Sequence, residues 1–130
     1  MVQRLLIVDD NIEFRKILRS YLEKQDMDLA IFEASSAEMG VAKSSFTRPD
    51  IVLMDINLPQ ANGLAAIRHI KADNPDCCVI VVTMFDTKEF KELSKKFNVT
   101  AFVGKTEIYD SLVPLIKKCL GDRDQKVTPQ

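Results

Sequence analysis

Five short apolar runs alternate along this chain with longer segments in which apolar residues recur every three or four positions. Runs of this length are typical of strands buried on both faces, and the longer segments are typical of amphipathic helices. Regular alternation of the two favours an α/β fold, a doubly wound five-stranded parallel sheet with right-handed crossovers and five helices on its two faces. The predicted strands are residues 3–8, 29–33, 50–54, 78–84 (with Thr83 at the strand's end) and 101–103.

Residues able to cap a helix precede several of the predicted helices. Asp10 or Asn11 is placed to cap the first, the serine pair at 35–36 the second, and the Asp-Thr pair at 86–87 the fourth. A side-chain oxygen at this position accepts a hydrogen bond from a first-turn amide that has no partner within the helix. The predicted helices are residues 12–22, 37–45, 64–72, 88–97 and 109–120.

Apolar spacing also predicts which helix faces are buried, because the apolar stripe of an amphipathic helix faces the core. The predicted inward residues are Ile12, Phe14, Ile17, Leu18, Tyr21 and Leu22 of the first helix, and Met39, Val41, Ala42 and Phe46 of the second.

The end of the chain contains two residues that disturb helices. Pro114 is tolerated if the last helix begins near Asp110, and otherwise it produces a kink. Gly121 is expected to end that helix. We therefore predict one domain over residues 1–121, followed at 122–130 by a disordered tail or the start of a linker.

Length and composition indicate a single globular domain. At 130 residues the chain can bury a core without disulfides or a metal. A net charge of −1 gives no general attraction for nucleic acid or an anionic membrane, and no apolar run approaches the roughly 18 residues of a membrane span. With no signal peptide at its start, the sequence is interpreted as cytoplasmic.

The three cysteines, Cys77, Cys78 and Cys119, lack metal-ligand spacing. We interpret them as reduced, small apolar residues, as expected in the cytoplasm. A vicinal disulfide between Cys77 and Cys78 is the minor alternative, because a bond between neighbouring residues strains the backbone.

The strongest polar features lie immediately after the predicted strands. Asp9 and Asp10 follow the first strand, Asp55 follows the third, Thr83 ends the fourth and Lys105 comes after the fifth. In the common strand order 2-1-3-4-5, strands 1 and 3 are neighbours at the point where such sheets bind their ligands. The three carboxylates would then share one crevice, with Thr83 and Lys105 on its rim.

A crevice of this composition favours a cation and a phosphoryl group. Crowded carboxylates repel one another unless a cation or a proton shares their site. Carboxylate oxygens suit Mg²⁺, which keeps several waters and so needs few protein ligands. Lys105 adds a positive charge for Asp55 or for an anion attached to it. With a hydroxyl such as that of Thr83, these groups suit phosphoryl transfer onto Asp55.

Together these residues resemble the receiver domain of two-component response regulators, a flavodoxin-like fold, over about residues 3–120. The Asp-Ile-Asn-Leu-Pro segment at 55–59 and the Lys-Thr-Glu segment at 105–107 look most like receivers joined to helix-turn-helix DNA-binding domains. The residues on which the resemblance rests are Asp9, Asp10, Asp55, Pro59, Gly63, Thr83 and Lys105.

The resemblance implies a role for each residue of the crevice. Asp55 would be the phosphoacceptor, taking its phosphoryl group from a sensor histidine kinase, a phosphotransfer protein or a small phosphodonor. Asp10, Asp55 and the backbone carbonyl of Asn57 would ligate Mg²⁺ directly, and Asp9 would act through a metal-bound water.

A conformational switch is also implied. The Thr83 hydroxyl would bond a phosphoryl oxygen on Asp55, and Phe102 would turn inward as Thr83 moves. The signal would then be a population shift read on the face formed by helix 4, strand 5 and helix 5. A homodimer could form through the same face.

Four positions depart from the usual receiver pattern. Thr106 stands where the family usually has proline, so no cis peptide is assumed. Met84 and Phe85 are bulky where small residues are common, which would restrict water attack or inward movement of the loop. Phe102 lacks the hydroxyl of the frequent tyrosine. These differences concern the efficiency of switching, since the phosphorylation chemistry does not use them.

Taken singly, most of these residues also have a structural interpretation. Asp9 and Asp10 can act as a helix cap in a favourable dipole field. Thr83 can be an ordinary strand residue, and Phe102 an ordinary core residue. His69, in the polar stretch of helix 3, is expected on the surface.

Two rival functions bear on the prediction. A phosphatase of the haloacid dehalogenase type resembles a pattern with a second aspartate two residues after the nucleophile, whereas Asn57 stands here and cannot donate the required proton. A degenerate receiver would bind partners without being phosphorylated.

We predict a phosphoaccepting signalling domain and no separate enzyme activity. Whether the chain acts alone or within a longer regulator stays open. Any DNA contact would need a further domain, and no membrane contact is expected.

Overall fold

The computed structural model describes residues 2–56, 63–84 and 99–127, with side chains as far as Gly121, and these residues form a layered α/β structure. The strands are β1 (Gln3–Val8), β2 (Leu29–Ala34), β3 (Ile51–Met54), β4 (Cys78–Thr83) and β5 (Ala101–Gly104). The helices are α1 (Ile12–Glu23), α2 (Ala37–Thr47), α3 (Gly63–Asp73) and the C-terminal helix (Ile108–Val127), which a 3₁₀ turn (Lys105–Glu107) precedes. The predicted helix at 88–97 lies outside the described residues.

The five strands are parallel and follow the order β2-β1-β3-β4-β5, which confirms the predicted doubly wound sheet. In the central pair, Val8 of β1 lies opposite Met54 of β3. The carboxyl ends of β1 and β3 are therefore level with one another, and the residues that follow them emerge side by side. Among the described residues, no helix combines the length and the apolar character needed to cross a bilayer.

Alternate residues of the central strands enter two helical layers. Leu6 and Val8 pack with residues of α2 and α3, in what we call the α2/α3 layer. Leu5 and Ile7 pack with residues of α1 and the C-terminal helix, in the α1/C-terminal layer. These four side chains are at most 1% exposed. Each contributes about 1.5–3 kcal/mol by burial, so the sheet's two faces account for much of the stability.

The predicted N-terminal caps of α1 and α2 are confirmed. The Asn11 side chain accepts a hydrogen bond from the Phe14 amide at 3.0 Å, and Ser36 accepts one from the Met39 amide at 3.1 Å. At the other end of α2, Arg48 adopts a left-handed conformation (φ 52°) and its amide donates to the Ser44 carbonyl. This conformation ends the helix before Pro49, at the predicted break.

The predicted inward faces of α1 and α2 are wrong at four positions. Ile12 and Ile17 are 53% and 48% exposed, and Met39 and Phe46 are 45% and 90% exposed. The residues that α2 buries are small instead: Ala37, Gly40 and Ser44.

Close approach of α2 to the sheet explains the small residues. A Cβ atom at Gly40 would lie 2.9 Å from both Cγ atoms of Val8. The space between α2 and β1 therefore excludes large side chains, and Met39 and Phe46 remain on the outside. Apolarity alone could not distinguish a helix that packs through small residues from one that packs through large ones.

The C-terminal helix is longer than predicted at both ends. It begins at Ile108, so Pro114 is its seventh residue and leaves the Asp110 carbonyl without the usual helical amide donor. It passes through Gly121 and continues to Val127, so the predicted stop at Gly121 is wrong. The disordered tail or linker at 122–130 stays a prediction. Gly121 has no positive φ and lies within the helix, where glycine costs only about 1 kcal/mol. The domain limit at residue 121 stays a prediction.

Gly63, the first residue of α3, lies directly against the backbone that follows β3. A Cβ atom at this position would be 2.5 Å from the Ile56 Cα and 2.8 Å from the Asp55 carbonyl oxygen. Backbone atoms cannot give way as a flexible side chain can. The absence of a side chain at Gly63 therefore sets how closely α3 approaches Asp55.

We expect Gly63→Ala to destabilise the protein by about 1–3 kcal/mol, because the added methyl group overpacks a contact with backbone. Gly121→Ala is the matched control, since a Cβ there meets nothing within 4 Å. The control should be neutral or stabilising by up to about 1 kcal/mol. Urea unfolding measures both, and a Gly63→Ala midpoint equal to that of the unmodified protein would contradict the prediction.

Candidate functional site

Three carboxylates converge at the carboxyl ends of β1 and β3. Asp9 and Asp10 follow β1, and Asp55 follows β3. One carboxylate oxygen from each lies within 4.8 Å of the other two. Asp9 is 2% exposed and Asp55 is 6% exposed, while Asp10 faces solvent. The predicted crowding of these three side chains is confirmed.

Backbone hydrogen bonds fix the two buried carboxylates. The Asp55 amide donates to the Val8 carbonyl at 2.9 Å, and the Asp9 amide donates to the Ala34 carbonyl at 3.1 Å. The Asp9 side chain in turn accepts a hydrogen bond from the Asn11 amide at 2.9 Å. The sheet and the first turn of α1 therefore determine where both carboxylates lie.

Lys105, at the start of the 3₁₀ turn after β5, reaches into this cluster. Its Nζ atom is 2.7 Å from Asp9 Oδ2 and 3.3 Å from Asp55 Oδ2. The same nitrogen lies 4.4 Å from the centre of the Phe14 ring, within the range of a cation–π interaction. The predicted pair with Asp55 is present, but Asp9 is the nearer partner, which the sequence did not indicate.

Burial shifts the pKa of Asp9 and the pKa of Lys105 in one direction, and the hydrogen bond between the two residues shifts each in the other. Burial is the largest influence on Asp9 and raises its pKa, and hydrogen bonds from Lys105 and the Asn11 amide offset that rise only in part. Burial lowers the pKa of Lys105, but its hydrogen bond to Asp9 and the charges of Asp9 and Asp55 outweigh this, so the net shift is upward. Lys105 is therefore an ammonium ion at neutral pH.

The sequence reasoning missed Arg15 of α1, whose side chain is 12% exposed. Its Nη1 atom donates to the Asp9 carbonyl at 2.6 Å, and its Nε atom donates to Glu33 at 3.1 Å. Arg19 holds the other oxygen of Glu33 at 2.9 Å. In the sequence Arg15 is one more charge between the apolar positions of a helix, and only the fold brings it beside the loop that begins at Asp9.

Most of the remaining candidate residues lie in the described part of the chain, and three do not. Thr83 ends β4 and is fully buried, and Phe102 of β5 is half-buried against the α2/α3 layer. Met84 is 66% exposed, and His69 is exposed as predicted. The peptide before Thr106 is trans. Asn57, Pro59 and Phe85 lie outside the described residues.

The site has the chemistry of a Mg²⁺ centre. Its donors are carboxylate oxygens, which Mg²⁺ prefers. Three carboxylates face a single ammonium, Lys105, so the cluster keeps an excess of negative charge that a divalent cation would balance. Asp10 is exposed and thus open to a hydrated ion. The residues present fit the ion.

The family model of the response regulator receiver domain matches residues 5–117. The chain belongs to this family. Receivers are signalling domains that bind Mg²⁺ through an acidic cluster and interact with histidine kinases or phosphotransfer proteins. In this receiver the acidic cluster consists of Asp9, Asp10 and Asp55.

Relatives with this domain differ in length and in role. The chemotaxis protein CheY of Thermotoga maritima is 38% identical to this receiver over 81 residues, 62% of the chain and 67% of CheY. The transcriptional regulatory protein YdfI of Bacillus subtilis is 34% identical over 85 residues, 65% of the chain and 39% of YdfI. Protein-glutamate methylesterase/protein-glutamine glutaminase 5 of Geobacter metallireducens is 37% identical over 81 residues, 62% of the chain and 23% of the enzyme. The matched part is thus less than half of the last two proteins.

Solved structures show the same fold. A LuxR-family two-component response regulator from Aurantimonas sp. SI85-9A1 superposes with a TM-score of 0.85 at 28% identity, covering 94% of this receiver and 87% of that chain. A CheY-like receiver domain protein from Methanospirillum hungatei JF-1 gives a TM-score of 0.87 at 25% identity, covering 97% and 99% of the two chains. The resemblance drawn from the sequence is confirmed.

We expect Asp9→Asn to stabilise the metal-free receiver. The folded pKa of Asp9 is raised above its ordinary value of 3.8, so the folded state binds the proton more tightly than the unfolded chain does. The stability that this proton gives is present at low pH and is lost as pH rises through the folded pKa. Asparagine keeps the size without the charge. The Tm of the Asp9→Asn variant at pH 7 should be roughly 2–5 °C above that of the unmodified protein. Its Tm should also change less with pH on the acid side.

Thermal unfolding between pH 3 and pH 8 tests this effect of Asp9. Asp10→Asn is the control, because that carboxylate is exposed and has lost little hydration. A lower Tm for Asp9→Asn at pH 7 would show that its ion pair with Lys105 outweighs the burial of its charge.

Arg15→Gln should lower the free energy of unfolding by about 1–3 kcal/mol, because it leaves the Asp9 carbonyl without its donor. Arg19→Gln removes a partner of the same Glu33 without touching Asp9, and Arg19 is 39% exposed. That control should cost less than about 1 kcal/mol. Equal losses in urea unfolding would mean that the pairing with Glu33, rather than the Asp9 carbonyl, accounts for the role of Arg15.

Proposed function

We propose that this receiver accepts a phosphoryl group on Asp55 from a histidine kinase or a phosphotransfer protein and reports it by a change of conformation. The observation that carries the proposal is the placement of Asp55 beside Asp9, Asp10 and the Lys105 ammonium. The structural interpretation of Asp9 and Asp10 as a helix cap does not require this arrangement. A helix cap would explain neither the Lys105 ammonium beside these residues nor the carboxylate of Asp55 at the end of β3.

In the proposed reaction, a carboxylate oxygen of Asp55 attacks the phosphorus atom of the donor. The bond from phosphorus to the leaving group breaks, and the leaving group departs with the bonding electrons. Asp55 suits this role because it is fixed by its backbone yet belongs to an open cluster with Asp10. The product is an acyl phosphate on Asp55.

Mg²⁺ would be held by Asp10, Asp55 and the Asn57 carbonyl, with Asp9 acting through a bound water. When bound, it supplies positive charge to the phosphoryl oxygens. Lys105 would contribute a second positive charge, and to do so it would exchange its contact with Asp9 for one with a phosphoryl oxygen. The short Lys105–Asp9 contact is then a feature of the resting state.

Thr83 and Phe102 make up the proposed switch. Thr83 ends the strand between β3 and β5, and in the proposed switch its hydroxyl donates to a phosphoryl oxygen on Asp55. Phe102 pairs with Val81 in the sheet register and is half-buried, and in the proposed switch it turns inward as Thr83 moves. The output face consists of β5, the C-terminal helix and the segment predicted as helix 4.

Control of transcription is the output that we favour. The similarity to YdfI, a transcriptional regulatory protein, supports this choice. DNA contact then belongs to a further domain, and the receiver itself can pair with a second copy through its output face. We place this signalling in the cytoplasm, where histidine kinases present their phosphoryl groups. The similarity to methylesterases extends to their receiver portion, and we assign no esterase activity to this chain.

Acetyl phosphate with Mg²⁺ should add one phosphoryl group to the protein, and Asp55→Asn should abolish the adduct, because the amide cannot act as the nucleophile. Asp50→Asn is a matched control at the opposite end of β3, where the carboxylate accepts a hydrogen bond from the Arg4 amide. Intact mass measures the adduct, and none should form when a chelator is present from the start of the reaction. Absence of an adduct with every phosphodonor would identify a degenerate receiver, and turnover of an added phosphomonoester would favour the phosphatase.

A further inference from the structure

Two of the three cysteines meet between the sheet and the C-terminal helix. Cys78 is the first residue of β4, and Cys119 belongs to the C-terminal helix, 41 positions later. The Cys78 Sγ atom lies 3.9 Å from the Cys119 carbonyl oxygen. Both side chains pack into the α1/C-terminal layer. Neither takes part in the phosphoacceptor site, which lies at the other end of the strands.

We propose that Cys78 and Cys119 form an intramolecular disulfide when the protein meets a peroxide. A disulfide needs Cα atoms within about 7 Å and Cβ atoms about 3.5–4.5 Å apart, so two cysteines rarely meet this demand by chance. The contact of the Cys78 sulfur with the Cys119 backbone brings the two residues together within one packed layer. The two residues are thus already neighbours in the folded protein, and a rotation of their side chains is what the bond requires.

Cys77 is the less suitable partner although it adjoins Cys78 in sequence. Successive strand residues point to opposite faces of a sheet, and Cys77 belongs to the α2/α3 layer on the other face. It is completely buried there. A bond between neighbouring residues would also strain the backbone. The fold therefore selects Cys119 in place of the vicinal pair considered from the sequence.

The exposure of the two thiols sets the order of the reaction. Cys78 is partly exposed and meets the oxidant first, while Cys119 is 2% exposed. The Cys78 thiolate attacks one oxygen of hydrogen peroxide, the O–O bond breaks, and a sulfenic acid and one water form. The Cys119 thiolate then attacks the sulfenic sulfur, and the hydroxide released takes up a proton to give a second water. In total, two thiols and one peroxide give one disulfide and two waters.

The bond would tie the start of β4 to the C-terminal helix. The closed segment includes β5 and Lys105, so the cross-link restricts the unfolded chain across a long loop. The oxidised protein should therefore unfold at a higher temperature than the reduced protein. This inference rests on the fold alone and is independent of the proposed phosphorylation of Asp55.

The test uses the full chain, treated with hydrogen peroxide and then with an alkylating reagent under denaturing conditions. We expect a loss of two hydrogens in the intact mass, alkylation of Cys77 alone, and a non-reduced peptide that joins Cys78 to Cys119. Dithiothreitol should restore three alkylated thiols and the lower Tm. Cys77→Ser should keep the bond, whereas Cys78→Ser and Cys119→Ser should each lose it.

The unmodified chain decides the outcome even if a variant folds poorly. Alkylation of all three cysteines after peroxide treatment would overturn the proposal. So would a bond that includes Cys77, a disulfide found only between two molecules, or oxidation of Cys78 that stops at sulfinic acid. A Tm that stays unchanged although the Cys78–Cys119 peptide is found would overturn the stabilising effect.

Discussion

One ammonium group holds together the ends of strands that are not neighbours. Lys105 follows β5, yet its nitrogen lies between Asp9 after β1 and Asp55 after β3, so its side chain reaches across the end of β4. Without it, two buried carboxylates would face each other with no positive charge between them, a situation that costs several kcal/mol. The Phe14 ring beside the ammonium limits its contact with water. The close approach of these two carboxylates depends on this charge.

The two layers of helices serve this site in different ways. In the α2/α3 layer, Gly40 lets α2 pack closely on the Val8 side chain, and Gly63 lets α3 lie against the backbone of Asp55 and Ile56. In the α1/C-terminal layer, large side chains such as Leu18, Leu112 and Ile116 fill the space. The first layer packs α3 directly against the backbone of Asp55. The second provides most of the bulky core and presents Arg15 to the Asp9 loop.

Much of the fold was predictable because strand burial leaves a simple pattern. Runs buried on both faces are apolar throughout, and the polar residues Asp9, Asp55 and Lys105 stand out where such runs end. The strand order followed from resemblance and from the frequency of this arrangement, and the sheet confirms it. The proximity of Asp9, Asp10 and Asp55 was a direct consequence.

What could not be predicted depends on distances between elements that are far apart in sequence. The preference of Lys105 for Asp9 is set by the conformation of a long side chain, and the contact of Arg15 with the Asp9 carbonyl is set by the path of α1 over the sheet. Phe46 resembled a core residue because apolar spacing does not measure how closely a helix approaches its sheet. Gly121 resembled a helix end because only the backbone conformation distinguishes a terminal glycine from an internal one.

The double pairing of Lys105 also links the site to the output face under the proposed function. Lys105 begins the 3₁₀ turn between β5 and the C-terminal helix, three residues after Phe102. In that proposal a phosphoryl group on Asp55 would compete with Asp9 for the ammonium, and Lys105 would pull on the backbone of this turn as it changes partner. The same charge that neutralises the resting carboxylates is therefore attached to the segment that must move. Because the buried pair resists separation, the resting arrangement persists until new negative charge arrives on Asp55.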